Sequence, residues 1–231
     1  MSIVSAETMY RTIMDYGIIP FFENIIPGYS VEELTPRRYW FDGEEGILGP
    51  WDWKIDCVQS GDIVYGKFLG GKAAFATVEW YRELRAWRRS VMPGSSHVMP
   101  GSDRASQAIL DFIASSGAIS IKEVRALLGV KKAAADAAIT RLQMQCRVVT
   151  GDLQRVYRGE DLHYNGWQIA SFTTPEALYG QPDFPFGPKI DPLATEGTPA
   201  DSLERLLAHM ASVSGCSDRK TLLKLIGETK K

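Results

Sequence analysis

SDRASQAILDFIASSGAISIKEVRALLGVKKAAADAAITRLQMQCRVVTGDLQRVYRGEDLHYNGWQIASFT, residues 102–173, is divided by its glycines into three short helical stretches and a pair of strands. After Ser102, the residues Ala105, Ile109, Leu110, Phe112 and Ile113 repeat at core spacing until Gly117 stops the first helix. A short β-like run, Ala118 to Ile121, follows. Lys122 to Leu128 predicts a second helix with Val124, Leu127 and Leu128 apolar, and Gly129 is a natural left-handed stop. The third helix, Lys131 to Gln145, is rich in alanine, so it is slim enough to pack closely or enter a groove. It presents Lys131, Lys132, Thr140, Arg141 and Gln143 away from its apolar side. Arg147 to Thr150 then starts a strand, Gly151 to Asn165 reads as a polar loop, and Trp167 to Thr173 alternates as a returning strand. Three helices followed by a two-stranded wing is the order of a winged helix-turn-helix, so double-stranded DNA is the expected partner.

Charge points to the same segment. The whole chain carries a net charge of -2, which offers no global attraction to a polyanion. Residues 1–71 hold 5 basic and 11 acidic side chains, and residues 159–231 hold 7 and 10. The middle reverses this, with 5 basic against 2 acidic over 72–100 and 9 against 5 over 101–158. The expected DNA contacts are Lys131, Lys132, Thr140, Arg141, Arg147, Arg155 and Arg158. The competing reading of these residues is a solvated helix face.

At 231 residues the chain has room for one sizeable core or two smaller ones. Cys57, Cys146 and Cys216 are odd in number and lack a C-x-x-C pair, so neither a disulfide framework nor a metal site is expected, and a cytoplasmic location fits reduced thiols. No window approaches the ~20 apolar residues of a membrane span, so no membrane partner is expected. The fold class read from the pattern is α+β: a winged helix-turn-helix domain with an N-terminal helical and β-hairpin region and C-terminal helices. The boundaries are an aromatic-rich region 1–90, a Pro/Gly linker 91–101 marked by a repeated Val-Met-Pro-Gly-Ser, the winged helix 102–176, and a proline-rich strap with two helices over 177–231. Within the first region, Ser5 to Gly17 reads as a helix with Met9, Ile13 and Met14 on one side. Trp51 to Gln59 reads as another helix, and two strands flank Gly70-Gly71. At the far end, Ser202 to Ser214 and a helix opened by Ser217 close the chain. Gly66 to Lys72 fits G-x-x-x-x-G-K, but Ala73 stands where a magnesium-binding hydroxyl belongs and the run continues as a strand, so the phosphate-loop reading fails. His97, His163 and His209 form no constellation.

Four phrases carry a resemblance. They are Gly49-Pro50-Trp51-Asp52-Trp53-Lys54, Tyr65-Gly66-Lys67-Phe68 with Lys72-Ala73-Ala74-Phe75, Leu142-Gln143-Met144-Gln145, and Gly166-Trp167-Gln168-Ile169-Ala170 with Thr173-Thr174-Pro175-Glu176. Over roughly Met9 to Gly180 the chain resembles the AlkZ-related bacterial proteins, relatives of winged-helix DNA glycosylases; the last 50 residues are expected to lie outside the match. The resemblance implies hydrolysis of an N-glycosidic bond in damaged DNA without a cofactor. In those glycosylases a Gln-apolar-Gln or Gln-apolar-Asp motif positions the attacking water. Gln143-Met144-Gln145 has that pattern, which makes Gln143 and Gln145 the catalytic candidates, although it ends a helix in mid-chain instead of opening the protein. On an extended segment the two amides would share a face; on a helix they would diverge. Trp51 and Trp53 are candidates for stacking on an extruded base, and Asp52, Asp56 and Glu79 are the acids to consider beside them. Alternative readings are a non-catalytic winged-helix regulator, able to form a homodimer through the terminal helices, and a winged helix used for protein contacts.

Overall fold

The computed structural model describes residues 2–40, 48–92, 100–158, 160, 163–180 and 191–227. Side chains at 100–103, 158, 163, 165 and 166 lie outside that description, as do residues 93–99 of the expected linker and 181–190 of the proline-rich strap.

The N-terminal part begins with α1 (Ala6–Tyr16), whose first turn is closed by a reciprocal Ser5–Thr8 cap, and continues into β1 (Ile18–Pro20). A one-turn α2 (Val31–Leu34) and a 3-10 turn at Arg37–Tyr39 lead to α3 (Pro50–Gln59). Two strands, β2 (Ile63–Leu69) and β3 (Lys72–Thr77), turn through Gly70 and Gly71, both in the left-handed region, and α4 (Val78–Val91) follows. The first sheet has the order β1-β3-β2, all antiparallel. Pairing of Ile18-Ile19-Pro20 with β3 was not expected, because three residues are too few to show a period.

The decisive stretch gives α5 (Pro100–Ser116), β4 (Ile119–Ser120), α6 (Ile121–Leu128), α7 (Lys132–Met144), β5 (Val149–Arg158) and β6 (His163–Thr173), with a second antiparallel sheet in the order β4-β6-β5. Gly129 ends α6 in the left-handed conformation. Pro100 and Gly101 begin α5 instead of belonging to a linker. The segment read as a polar loop is largely strand. Asp152 pairs with Ser171, Leu153 with Ala170, Gln154 with Ile169 and Arg155 with Gln168. The alternation that would announce a strand is weak because Leu153 is the one buried apolar residue over 151–155, packed on Ile55 and Val58 of α3.

Three apolar clusters hold the molecule together. The largest joins α1, the first sheet and α4 to α9 (Pro199–Ser214) and α10 (Arg219–Ile226), through Met9, Ile13, Phe75, Leu84, Leu206 and Ile226. A second lies inside the α5–α7 unit around Ile109, Ile113, Val124, Ala135, Leu142 and Phe172. Ile55, Val58 and Leu153 form a third, which sews α3 to β5. Met14 is 40% exposed and takes no part in the core expected of it. The last helix is capped by Asp218, which accepts from the N–H groups of Lys220 and Thr221, and not by Ser217. Between β6 and the tail, α8 (Pro175–Tyr179) is capped by Thr174. Leu206, Leu207, Met210, Leu222 and Ile226 are buried within the chain's own core, so those faces of the terminal helices are not available to a second copy. No described helix is long and apolar enough to cross a membrane.

Gly17 closes α1 at φ +65°, and a Cβ there would fall 2.3 Å from Cδ1 of Trp80. That space is taken by Trp80 stacked on His209, with ring centroids 3.7 Å apart and the His209 Nε2 at 2.9 Å from the Tyr16 carbonyl.

Candidate functional site

On α7, residues 132, 136, 140 and 143 fall within a narrow arc at ~100° per residue. Lys132 is exposed at the helix start, while Asp136, Thr140 and Gln143 line a cavity of about 210 Å³. Tyr65, Gly66 and Lys67 of β2 and Lys54 of α3 form the opposite wall, and Thr150, Leu153, Gln168, Ala170 and Phe172 of the second sheet form its side. The volume is below the roughly 300–1,000 Å³ of drug-sized ligand sites, so it suits one small group. A larger depression of about 520 Å³ lies among Glu23, Asn24, Lys72 and Lys224. It is shallow, and the buried polar groups described next belong to the smaller cavity.

Gln143 is fixed by an irregularity in β2. The ladder register shifts between Gly66 and Leu69, and the Lys67 N–H donates to the Gln143 Oε1 at 3.1 Å. Only an oxygen accepts from an N–H, so Nε2 is the atom 3.4 Å from the Thr150 hydroxyl. Gly66 permits the approach, because a Cβ there would lie 3.1 Å from that Nε2. Across the cavity, Gln168 donates through Nε2 to the Trp51 carbonyl at 2.6 Å and to the Tyr164 hydroxyl at 3.2 Å. Its Oε1 is buried and, among the described residues, has no hydrogen-bond partner. A buried acceptor without a donor costs about 1–3 kcal/mol, which a ligand N–H, O–H or water would recover.

Lys54 is 7% exposed. Its Nζ sits 4.3 Å from the Trp51 ring centroid, 5.9 Å from that of Tyr65 and 6.0 Å from that of Phe21. Burial lowers its pKa to about 8, against a smaller opposing effect of Asp52. Trp51 itself is 39% exposed and touches Phe21, Phe22 and Trp40, with centroids 5.2 to 6.3 Å away. Trp53 is core, packed on Tyr39. Asp52 accepts from the Tyr164 hydroxyl, which ties the β5–β6 hairpin to α3.

The end of α7 is held from α4. Arg88 is 1% exposed and its Nη1 donates to the Met144 carbonyl at 2.9 Å, while Nη2 reaches the carbonyls of Phe68, at 3.4 Å, and Ile226. Arg89 donates to the Cys146 carbonyl through Nη2 at 2.7 Å and Nε at 3.2 Å. Glu176 receives Arg89 and Arg85. Cys146 occupies φ +53°, a left-handed conformation that a non-glycine residue adopts only when its surroundings impose it. These arginines supply most of the basic excess of residues 72–100, and that excess is spent inside the molecule.

The sequence-derived candidates therefore separate. Gln143 lines the cavity; Gln145, the C-terminal cap of α7, does not, because two residues on a helix point about 200° apart. Lys131 and Lys132 are exposed, Thr140 lines the cavity, and Arg141 is half-buried on another side of α7. Arg147 is half-buried beyond the opposite end of the helix, about 20 Å from Lys131 at 1.5 Å per residue. Arg155 lies 4.0 Å from Asp56 and over the Tyr164 ring, turned toward α3. The Arg158 side chain lies outside the described residues. Sequence reading did not single out Lys54, Tyr65, Asp136 or Gln168 as a site. A signal existed, since all four phrases quoted above converge here, through Lys54, through Tyr65, Gly66 and Lys67, through Gln143, and through Gln168 and Ala170.

The molecule is thus a mixed α+β protein with two small antiparallel sheets and a polar cavity between them. The chain belongs to the AlkZ-related family, whose model matches residues 3–227 and so includes the C-terminal helices expected to lie outside it. That membership links it to the DNA-repair glycosylases. Neither the curated proteins nor the solved structures compared with it gave a match.

Proposed function

We propose that the chain is a winged-helix DNA-binding protein that brings the deoxyribose of a damaged nucleotide to the Gln143 cavity and hydrolyses the N-glycosidic bond without a cofactor. The observation that carries this reading is that two amide side chains line one cavity, Gln143 held by a strand bulge and Gln168 tied to the Trp51 carbonyl and the Tyr164 hydroxyl. In base excision, positive charge develops at C1′ as the base departs, and a water must be held against that carbon. The Gln143 amide oxygen, which keeps a lone pair beyond the one given to the Lys67 N–H, accepts from such a water. Asp136, on the same wall as Gln143, is the carboxylate available to take the water's proton. Trp51, exposed beside the cavity's Lys54, offers a face for the extruded base. Lys131 and Lys132, at the outer end of the helix that carries Gln143, serve as phosphate contacts.

The test is release of free base from a duplex carrying an alkylated base. Wild type is expected to release it, and Gln143→Ala to be slower by about 10²–10³, the usual loss for one preorganised hydrogen-bonding group in an active site. Circular dichroism would establish that the variant is folded. Duplex affinity is expected to fall steeply with salt, and the double change Lys131→Ala and Lys132→Ala to reduce the slope of log K against log salt by about two. Salt-dependent binding indifferent to lesions and without base release would identify a regulator instead. Neither behaviour would identify a protein-interaction module.

A further inference from the structure

We propose that the Lys54 amine forms an imine with the open-chain aldehyde of an abasic deoxyribose in DNA, so that the same cavity captures the base-free sugar. The inference rests on the reading that the cavity receives a deoxyribose from DNA, and adds a substrate class and a covalent step to it. Lys54 is one of the cavity's lining residues, and its Nζ is held over the Trp51 ring between those of Tyr65 and Phe21. Among the described residues no carboxylate or hydrogen-bond acceptor lies within bonding distance of that nitrogen. The charged groups around it are Asp52 on its own helix, Lys67 on β2 and Asp136 on α7, with the Tyr65 phenol also facing the cavity.

A buried lysine is costly as a cation and nucleophilic as an amine. Burial brings its pKa to about 8, so free amine is present near neutral pH, unlike the exposed Lys131 and Lys132, which suit phosphate. The step balances without a further reagent. The nitrogen lone pair attacks C1′ of the aldehyde, the C=O π pair passes to oxygen, and an N–H proton transfers to give a carbinolamine. Departure of that hydroxyl as water, with loss of the remaining N–H proton, leaves C=N.

The test incubates the full chain with a duplex oligonucleotide containing one pre-formed abasic site in the presence of sodium borohydride, which reduces an imine to a stable secondary amine. Wild type is expected to give a covalent complex on a denaturing gel, with the adduct mass on the digest peptide that spans Lys54. Lys54→Arg should lower the yield about tenfold or more, since a guanidinium is not nucleophilic at this pH, whereas Lys220→Arg, at the exposed start of α10, should retain it. No complex with wild type, or an adduct mapped to another amine, overturns the proposal, and the mapping needs no variant to fold. Base release without trapping would remove the imine and leave the hydrolysis reading standing. Trapping without base release would do the reverse.

Discussion

Arg88→Met is expected to lower the unfolding free energy by about 3 kcal/mol or more, since a buried acceptor left without its donor costs about 1–3 kcal/mol and the change orphans more than one. The replacement fills most of the same space, so the loss arises from the carbonyls left behind. Met144, Phe68 and Ile226 each lose a charge-assisted donor, and all three lie at the ends of elements, where no backbone N–H replaces it. Arg88→Lys should rescue little, because one ammonium does not span the three directions that a guanidinium fork covers. Urea denaturation would measure the change, and a loss below about 1 kcal/mol would show that the fork is not a principal tie. Function should suffer with stability. Met144 is adjacent to Gln143, so loosening the end of α7 lets the amide drift from Lys67 and Thr150.

Lys54→Met should act in the opposite direction, stabilising the chain by up to about 3 kcal/mol at pH 7 while removing the cavity's amine. The sign follows from proton linkage. The folded-state pKa of about 8 lies below the ordinary lysine value of 10.5, so below pH 8 both states are protonated and the full cost of burying the cation is present. Between pH 8 and about 10.5 the folded state releases its proton while the unfolded state still holds one, so wild-type stability gains steadily with pH. The advantage of Lys54→Met should therefore be greatest at pH 7 and fade as pH approaches 10.5. Denaturation of both proteins at pH 7 and pH 10 tests this. Parallel pH profiles would mean that Lys54 is solvated and that its enclosure by Trp51, Tyr65 and Phe21 carries no penalty.

The cavity was only half legible in the sequence. Gln143 stood out because its neighbours form a recognisable pattern, yet pairing it with Gln145 assumed an extended segment. The helix continues through Met144, so its partner across the cavity is Gln168, 25 positions further along. Lys54 has no local mark of burial: it follows Trp53 in a helix of mixed character, and only the approach of Phe21 and of Tyr65 on β2 encloses its amine. The arginines of α4 misled in the other direction. As charge they suggested an outward basic face, whereas three of the four, Arg85, Arg88 and Arg89, bind Glu176 or carbonyl oxygens within the fold.

What the residues determined by themselves was local. Glycines at 117, 129 and 70–71, caps at Ser5, Ser30 and Ser120, and apolar spacing at 3.6 or 2 residues set the helices, the first hairpin and the order of the middle segment. Those signals act within a few residues, so they survive in any context. Tertiary structure alone decided that β1 adds to β3, that the second hairpin extends to Arg158 and leans on α3, that the terminal helices close over α4, and that four distant phrases meet around one cavity. Each of these depends on desolvation, and burial is set by which surfaces meet after folding. The same lysine or glutamine is an ordinary surface group until a second element comes within a few ångströms and takes its water away.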